Sequence, residues 1–208
     1  MRVIDLSVLV NEETPAYPGD PKIKIEATGT FEKDTYNDHL VSFGIHSSGT
    51  HIDSPWHMVQ NGKKLDEISV DKFIGRGRLI NVKKSGNFDL ETVKEARIEE
   101  GDIVLFYTGM AEVYGQDEYY GNDRIEISKE IAEYLVEKKV KMIGLDMCSP
   151  DKEPFPIHRI LLGNDILIIE NMTNLESLDG ENFKVYALPI KTQLDGGPAR
   201  VIAVIESK

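Results

Sequence analysis

The sequence predicts an α/β fold with more strand than helix, and three observations lead there. Short Val- and Ile-rich runs recur along the 208 residues. Several of these runs are nearly continuous in apolar residues, as strands buried on both faces are. Two stretches carry helical spacing with capping residues at their ends.

Taken in order, the strand-like runs are Val3 to Val10, Leu40 to Ile45, Arg78 to Val82, Ile103 to Tyr107, Val140 to Leu145, Ile166 to Ile169, Val185 to Ile190 and Val201 to Ile205. The first helical stretch, Phe88 to Arg97, has Asp89 as its N-cap and Gly101 just beyond its end. The second, Ile127 to Lys139, opens at Ser128 and sets Ile127, Ile131 and Leu135 on one face. Lys138 and Lys139 then meet the negative end of the helix dipole. Longer irregular stretches at 11–22, 111–126 and 147–158 have the length at which loops in a compact domain tend to be functional. No repeat or linker-like tract divides the chain, so residues 1–208 read as one domain.

Apolar residues make up 40% of the chain, enough for a core, and 24 basic against 36 acidic residues leave a net charge of −12. So acidic a surface repels phosphate backbones and anionic lipid, which argues against nucleic-acid and membrane partners. A single cysteine, Cys148, can form neither an internal disulfide nor a thiolate zinc site. The amino-terminal run MRVIDLSVLVNEE lacks a signal-peptide pattern, and no apolar run is long enough to span a bilayer. A cytoplasmic protein is the expectation.

Three of the five histidines fall between His46 and His57. Within that segment His51 and Asp53 stand two apart, so in a strand they project from one face. Imidazole with carboxylate is a ligand set for zinc, manganese or iron. Pro55 ends such a strand and turns the chain, bringing His57 toward the same point. Farther on, His158 lies in a loop whose backbone is set by the two preceding prolines, Pro154 and Pro156, and Glu170 closes the apolar run Ile166–Ile169. A carboxylate there needs a partner, whether a metal, an arginine such as Arg159 or Arg200, or solvent at the strand end. The G-x-S-x-G elbow, H-E-x-x-H, the P-loop and a full G-x-G-x-x-G are all absent. A serine triad drawn from Ser47 or Ser48 with His57 and Asp53 fits this histidine-rich composition less well than metal binding. Cys148 has no neighbouring base in sequence and reads as a structural thiol.

Gly49-Thr-His51-Ile-Asp53-Ser-Pro-Trp-His57 resembles the H-x-G-T-H-x-D-x-P-x-H signature of the cyclase family of metal-dependent hydrolases, which contains bacterial kynurenine formamidase and isatin hydrolase. The resemblance covers nearly the whole chain. It takes in Pro15-Ala-Tyr17-Pro-Gly-Asp-Pro21, the segments 101–109 and 144–146, His158 to Leu162 with Ile168 to Asn171, and the ending Leu188 to Lys191 with Pro198 to Val201. It implies a swivelling β/β/α domain with a mixed-sheet core and a few helices. It also implies a divalent metal centre, often of two ions, zinc before manganese.

On that resemblance Asp53 bridges the ions, His51 holds the first, His158 the second, and Glu170 contacts one or both. His57 carries protons, and Tyr17 packs against a small-molecule substrate. The implied reaction is amide hydrolysis by metal-activated water, N-formylkynurenine going to kynurenine and formate in tryptophan catabolism. The enzyme would be a homodimer or larger homo-oligomer. The alternatives are another cyclic or N-acyl amide such as isatin, and a family member that binds metal or a small ligand without turnover.

One departure stands out. The signature's first histidine precedes the G-T-H histidine by four, where this chain has Ser47, and His46 is five before. For His46 to be a ligand the strand needs a one-residue bulge, with Ser47 or Ser48 unpaired and the His46 ring aimed at His51. The alternative puts Ser47 nearest the metal and leaves one ion weakly held.

Overall fold

The computed structural model describes residues 1–121 and 123–205. Its strands are β1 (Arg2–Asp5), β2 (Lys24–Gly29), β3 (Asp38–Ser42), β4 (His51–Asp53), β5 (Ile74–Asn81), β6 (Ile103–Tyr107), β7 (Met142–Leu145), β8 (Leu167–Glu170), β9 (Phe183–Pro189) and β10 (Gly196–Ile205). The α-helical segments are α1 (Phe31–Asp34), α2 (Val82–Ser85), α3 (Leu90–Glu95), α4 (Lys129–Glu137) and α5 (Pro156–Gly163). No helix among the described residues is long and apolar enough to cross a membrane.

The strands run in the order β1-β10-β4-β8-β7-β6-β5-β9, and β9 also pairs with β10, so the sheet folds back on itself. β5 and β10 each serve two layers. Ile74 to Arg76 of β5 pairs with β9, whereas Gly77 to Asn81 pairs with β6. Likewise Gly196 to Pro198 pairs with β4, and the longer remainder of β10 pairs with β9 and β1. The strands β5 to β8 are mutually parallel, and β4 lies antiparallel between β8 and β10.

Alternation along each strand divides the core. Ile103 and Leu105 of β6, Met142 of β7, and Leu167 and Ile169 of β8 face inward between the two sheets. Val104, Phe106, Ile143, Leu145 and Ile168 face the helices. Both faces are thus apolar, which is why these strands read as unbroken hydrophobic runs. The result is the β/β/α layering and mixed-sheet core that the resemblance implied, with a fourth element, the hairpin β2–β3, projecting separately.

The caps sit where the sequence put them. Asp89 accepts from Thr92 N at 2.9 Å and Ser128 Oγ from Ile131 N at 3.3 Å. Ile127, Ile131 and Leu135 are all buried. Three local readings need correction. The run Val3–Val10 is strand only to Asp5, because the Asp5 carboxylate takes Ser7 N out of the ladder at 3.2 Å. Leu40–Ile45 ends at Ser42, and Ile45–Ser47 winds into a 3₁₀ turn. His158 lies in helix α5, where Pro156 at the first helical position supplies a φ already suited to the helix.

Asp102, buried just before β6, ties the crossover strand β5 into the sheet. It accepts from Arg76 Nε at 2.8 Å, Arg78 Nε at 3.1 Å and Glu99 N at 2.9 Å. Burial alone would raise its pKa; the hydrogen bonds from Arg76, Glu99 N and Arg78 outweigh burial and lower it. Asp102→Ala is expected to cost about 2 kcal/mol in urea unfolding at neutral pH. Because the folded value is depressed, that contribution is complete above the ordinary aspartate range and fades as the pH falls through the folded value. An unchanged urea midpoint at pH 7 would show that the arginines carry no such load.

Candidate metal centre

β4 and β8 are cross-strand partners with His51 opposite Glu170, so the imidazole and the carboxylate leave the sheet on one face. Asp53, two along, shares that face, while Ile52 between them turns into the inter-sheet core. Helix α5 lies over this face and contributes His158. His51, Asp53, His158 and Glu170 are all at most 5% exposed.

The two carboxylates each reach both histidines. Asp53 Oδ1 lies 3.4 Å from His51 Nε2, and Asp53 Oδ2 lies 3.7 Å from His158 Nε2. Glu170 Oε2 stands 3.5 Å from His51 Nε2 and Oε1 3.3 Å from His158 Nε2. Ring orientation is fixed from behind. His51 Nδ1 donates to Gly49 O at 2.9 Å, and His158 Nδ1 meets Asp151 Oδ1 at 2.6 Å. Each imidazole therefore presents its Nε2 to the carboxylates. Gly49 can orient its carbonyl this way because it adopts φ +78°, in the left-handed region.

The buried atoms His51 Nε2, Asp53 Oδ2 and Glu170 Oε1 have no hydrogen-bond partner. Buried polar atoms left so are costly. Ligand atoms about 2.0–2.2 Å from a tetrahedral ion stand roughly 3.3–3.6 Å apart. Three of the four separations above fall within that spacing and the fourth, 3.7 Å, lies just beyond it; all exceed ordinary hydrogen bonds, so the donor set fits a divalent cation. The fields agree: burial opposes the charge on Asp53, but His158, His46 and His51 hold its carboxyl well below the usual range. Burial, and then the charge of Asp53, push Glu170 up.

His46 enters the site by a route other than the expected bulge. Its backbone belongs to the Ile45–Ser47 turn, outside the sheet, so strand parity does not govern its direction. The ring sits 5.3 Å from that of His51, and Nδ1 lies 3.0 Å from Asp53 Oδ1. Ser47 points away and donates to Asp20 Oδ2 at 2.9 Å. His57 stands in the next turn, Pro55–His57, with its ring 3.8 Å from that of His46 and 5.9 Å from that of His158.

A cavity of about 230 Å³ opens onto His46, His57, His158 and Glu170, with Tyr17, Met58 and Phe155 among its apolar walls. Tyr17, on the cavity wall, packs edge-on against Tyr120 at 6.1 Å. Cys148 is buried at the cavity edge and donates to Tyr119 O, and burial pushes its thiol up to about 12, in keeping with a structural thiol. Of the partners considered for Glu170, Arg200 instead pairs with Asp5 at 2.6 Å and Arg159 is exposed.

Four residues escaped the sequence reading. Asp151 orients His158 and also accepts from Ile157 N at 2.6 Å. Phe155 holds φ +57° and sets its ring 5.7 Å from that of His158. Asp20 receives Ser47. Asp195 lies 2.9 Å from His46 Nε2 and 3.4 Å from His57 Nδ1. In sequence Asp195 precedes two glycines and looks like an ordinary turn; only its proximity to an antiparallel partner of β4 would have marked it.

Residues 4–152 match the family described as putative cyclase. The kynurenine formamidase of Bacillus cytotoxicus is 29% identical over 204 residues, spanning 96% of this chain and 95% of its own. A crystal structure of an isatin hydrolase bound to the product analogue thioisatinate has a TM-score of 0.86 at 24% identity, over 98% of this chain and 92% of that one; this is a likeness of fold. A solved potential metal-dependent hydrolase with cyclase activity has a TM-score of 0.80 at 26% identity, over 97% of this chain and 96% of that one.

Proposed function

The chain belongs to the putative-cyclase family, and from that premise we propose that it is a metal-dependent hydrolase of a small aromatic amide, of the kynurenine formamidase type. The observation that carries this reading is the convergence of His51, Asp53, His158 and Glu170 around unpartnered buried ligand atoms. Those four residues with His46 would hold one or two divalent ions, zinc in the first place and manganese in the second. When bound, such an ion supplies Lewis-acid polarisation and lowers the pKa of water from about 15.7 toward about 7.

The chain's own residues do the rest. Burial holds His57 below its ordinary value of 6.5, so at neutral pH its imidazole is uncharged and can accept a proton. With Nδ1 turned to Asp195, the other ring nitrogen is left for exchange with the reacting groups. His57 takes the proton of the attacking water and returns it to the nitrogen of the breaking C–N bond, releasing a neutral amine. Tyr17 and Phe155 flank the cavity and pack a substrate ring edge-on or face-on. The unit acting is the whole of residues 1–208, a cytoplasmic homodimer or larger homo-oligomer.

The test is metal content by elemental analysis together with formate release from N-formylkynurenine, with isatin ring opening run alongside. Stoichiometric metal and formate release support the reading. Ring opening of isatin without formate release moves the substrate to the cyclic amide. Bound metal with no turnover of either favours a binding protein.

A further inference from the structure

We propose that Asp195 is a positioning residue that holds the metal-facing and proton-carrying histidines in register through a single carboxylate oxygen. The inference rests on the metal-hydrolase reading above and adds a residue to it.

Asp195 Oδ2 lies 2.9 Å from His46 Nε2 and 3.4 Å from His57 Nδ1. The two rings are stacked at 3.8 Å with a tilt of 32°, so their edges reach the same oxygen side by side. With His46 Nε2–H donating to Asp195, Nδ1 is the nitrogen left to meet Asp53 Oδ1, at a hydrogen-bonding 3.0 Å, and an ion bound there would displace the Nδ1 proton and take its lone pair. With His57 Nδ1–H donating to the same oxygen, His57 keeps its other nitrogen as a base. One carboxylate thereby selects both tautomers.

The backbone makes this more than a surface contact. Asp195 O accepts from Ser54 N at 2.9 Å, and Ser54 opens the turn that carries His57. The following residue, Gly196, pairs with Asp53 itself. A Cβ at position 196 would stand 2.6 Å from Ile52 O, so only glycine lets β10 approach β4 this closely. The start of β10, the ligand strand and the His57 turn are therefore fastened to one another within a few residues. His46, on its turn outside the sheet, has Asp195 as a side-chain anchor.

The test compares Asp195→Asn and Asp195→Ala with the parent chain in three readouts: thermal unfolding of the metal-loaded protein, zinc affinity by chelator competition, and kcat and KM on the amide the parent hydrolyses. The expected result is a fold retained in both variants and zinc affinity lowered about 10- to 100-fold. Turnover with saturating zinc is expected to fall by at least about 10-fold with KM nearly unchanged, because ring orientation rather than substrate binding is lost. Asp195→Asn, which keeps the shape but not the charge, should retain more zinc affinity than Asp195→Ala. Parent-like zinc affinity and turnover in Asp195→Ala would overturn the proposal. If the parent binds zinc but hydrolyses no amide, the hydrolase reading falls, and the zinc arm alone decides for or against Asp195.

Discussion

Replacing Asp53 by asparagine is expected to strip the protein of bound metal and lower amide hydrolysis by on the order of 10³-fold or more. Asp53 lies within reach of His46, His51 and His158 together, at 3.0, 3.4 and 3.7 Å. It is fully buried on a strand fixed between β8 and β10, so no neighbouring carboxylate can swing into its place. Asparagine keeps the shape but removes the negative charge and turns an amide donor toward nitrogens that should face a cation. Several kcal/mol of Lewis-acid stabilisation go with the metal, and each 1.36 kcal/mol is tenfold in rate. Elemental analysis of the purified variant and turnover with added zinc check this. Stoichiometric metal in Asp53→Asn would remove Asp53 from the bridging position.

His57→Ala is expected to separate chemistry from binding. Metal content should stay at the parent level while the hydrolytic rate drops about 10²- to 10⁴-fold. The ring stands on the Pro55–His57 turn, beyond the ligand strand, and lines the cavity from which a substrate would approach. It is less buried than His51 or His158, with 20% of its side chain exposed. Removing it leaves His51, Asp53, His158 and Glu170 mutually placed, since none of them hydrogen-bonds to it. Loss of metal in this variant would make His57 a ligand; undiminished turnover would make it neither ligand nor proton carrier.

Much of the fold was legible because local and global preferences agree. β6 spans Ile103–Tyr107 as read, and helices α3 and α4 begin at the N-caps that Asp89 and Ser128 advertise. Short spacing rules also carried the first half of the site. A two-residue interval puts His51 and Asp53 on one face of any strand, and a proline after the strand turns the chain toward His57. The readings that failed involve competition between side chain and backbone. Asp5 captures Ser7 N and ends β1 early, and Pro156 starts a helix in a stretch whose other prolines suggest a loop.

His46 shows the limit most clearly. Parity along a strand made it an awkward candidate ligand that required a bulge, whereas the structure carries it in a 3₁₀ turn outside the strand. Asp151 and Asp195 were invisible for a related reason. Each lies in a segment that looks like an ordinary turn, and each matters only through what the fold brings beside it, across seven positions to His158 for one and 149 to His46 for the other.

By itself, then, the sequence determined which side chains could bind a cation and which short intervals bring them onto one face, because strand and helix periodicities act over a few residues. The tertiary structure alone decided that Glu170 stands opposite His51, that α5 delivers His158 over them, and that one oxygen of Asp195 serves two imidazoles. Those relations depend on strand order and on backbones crossing at glycine, which are set by packing of the two sheets and the helices as a whole, and no local interval encodes them.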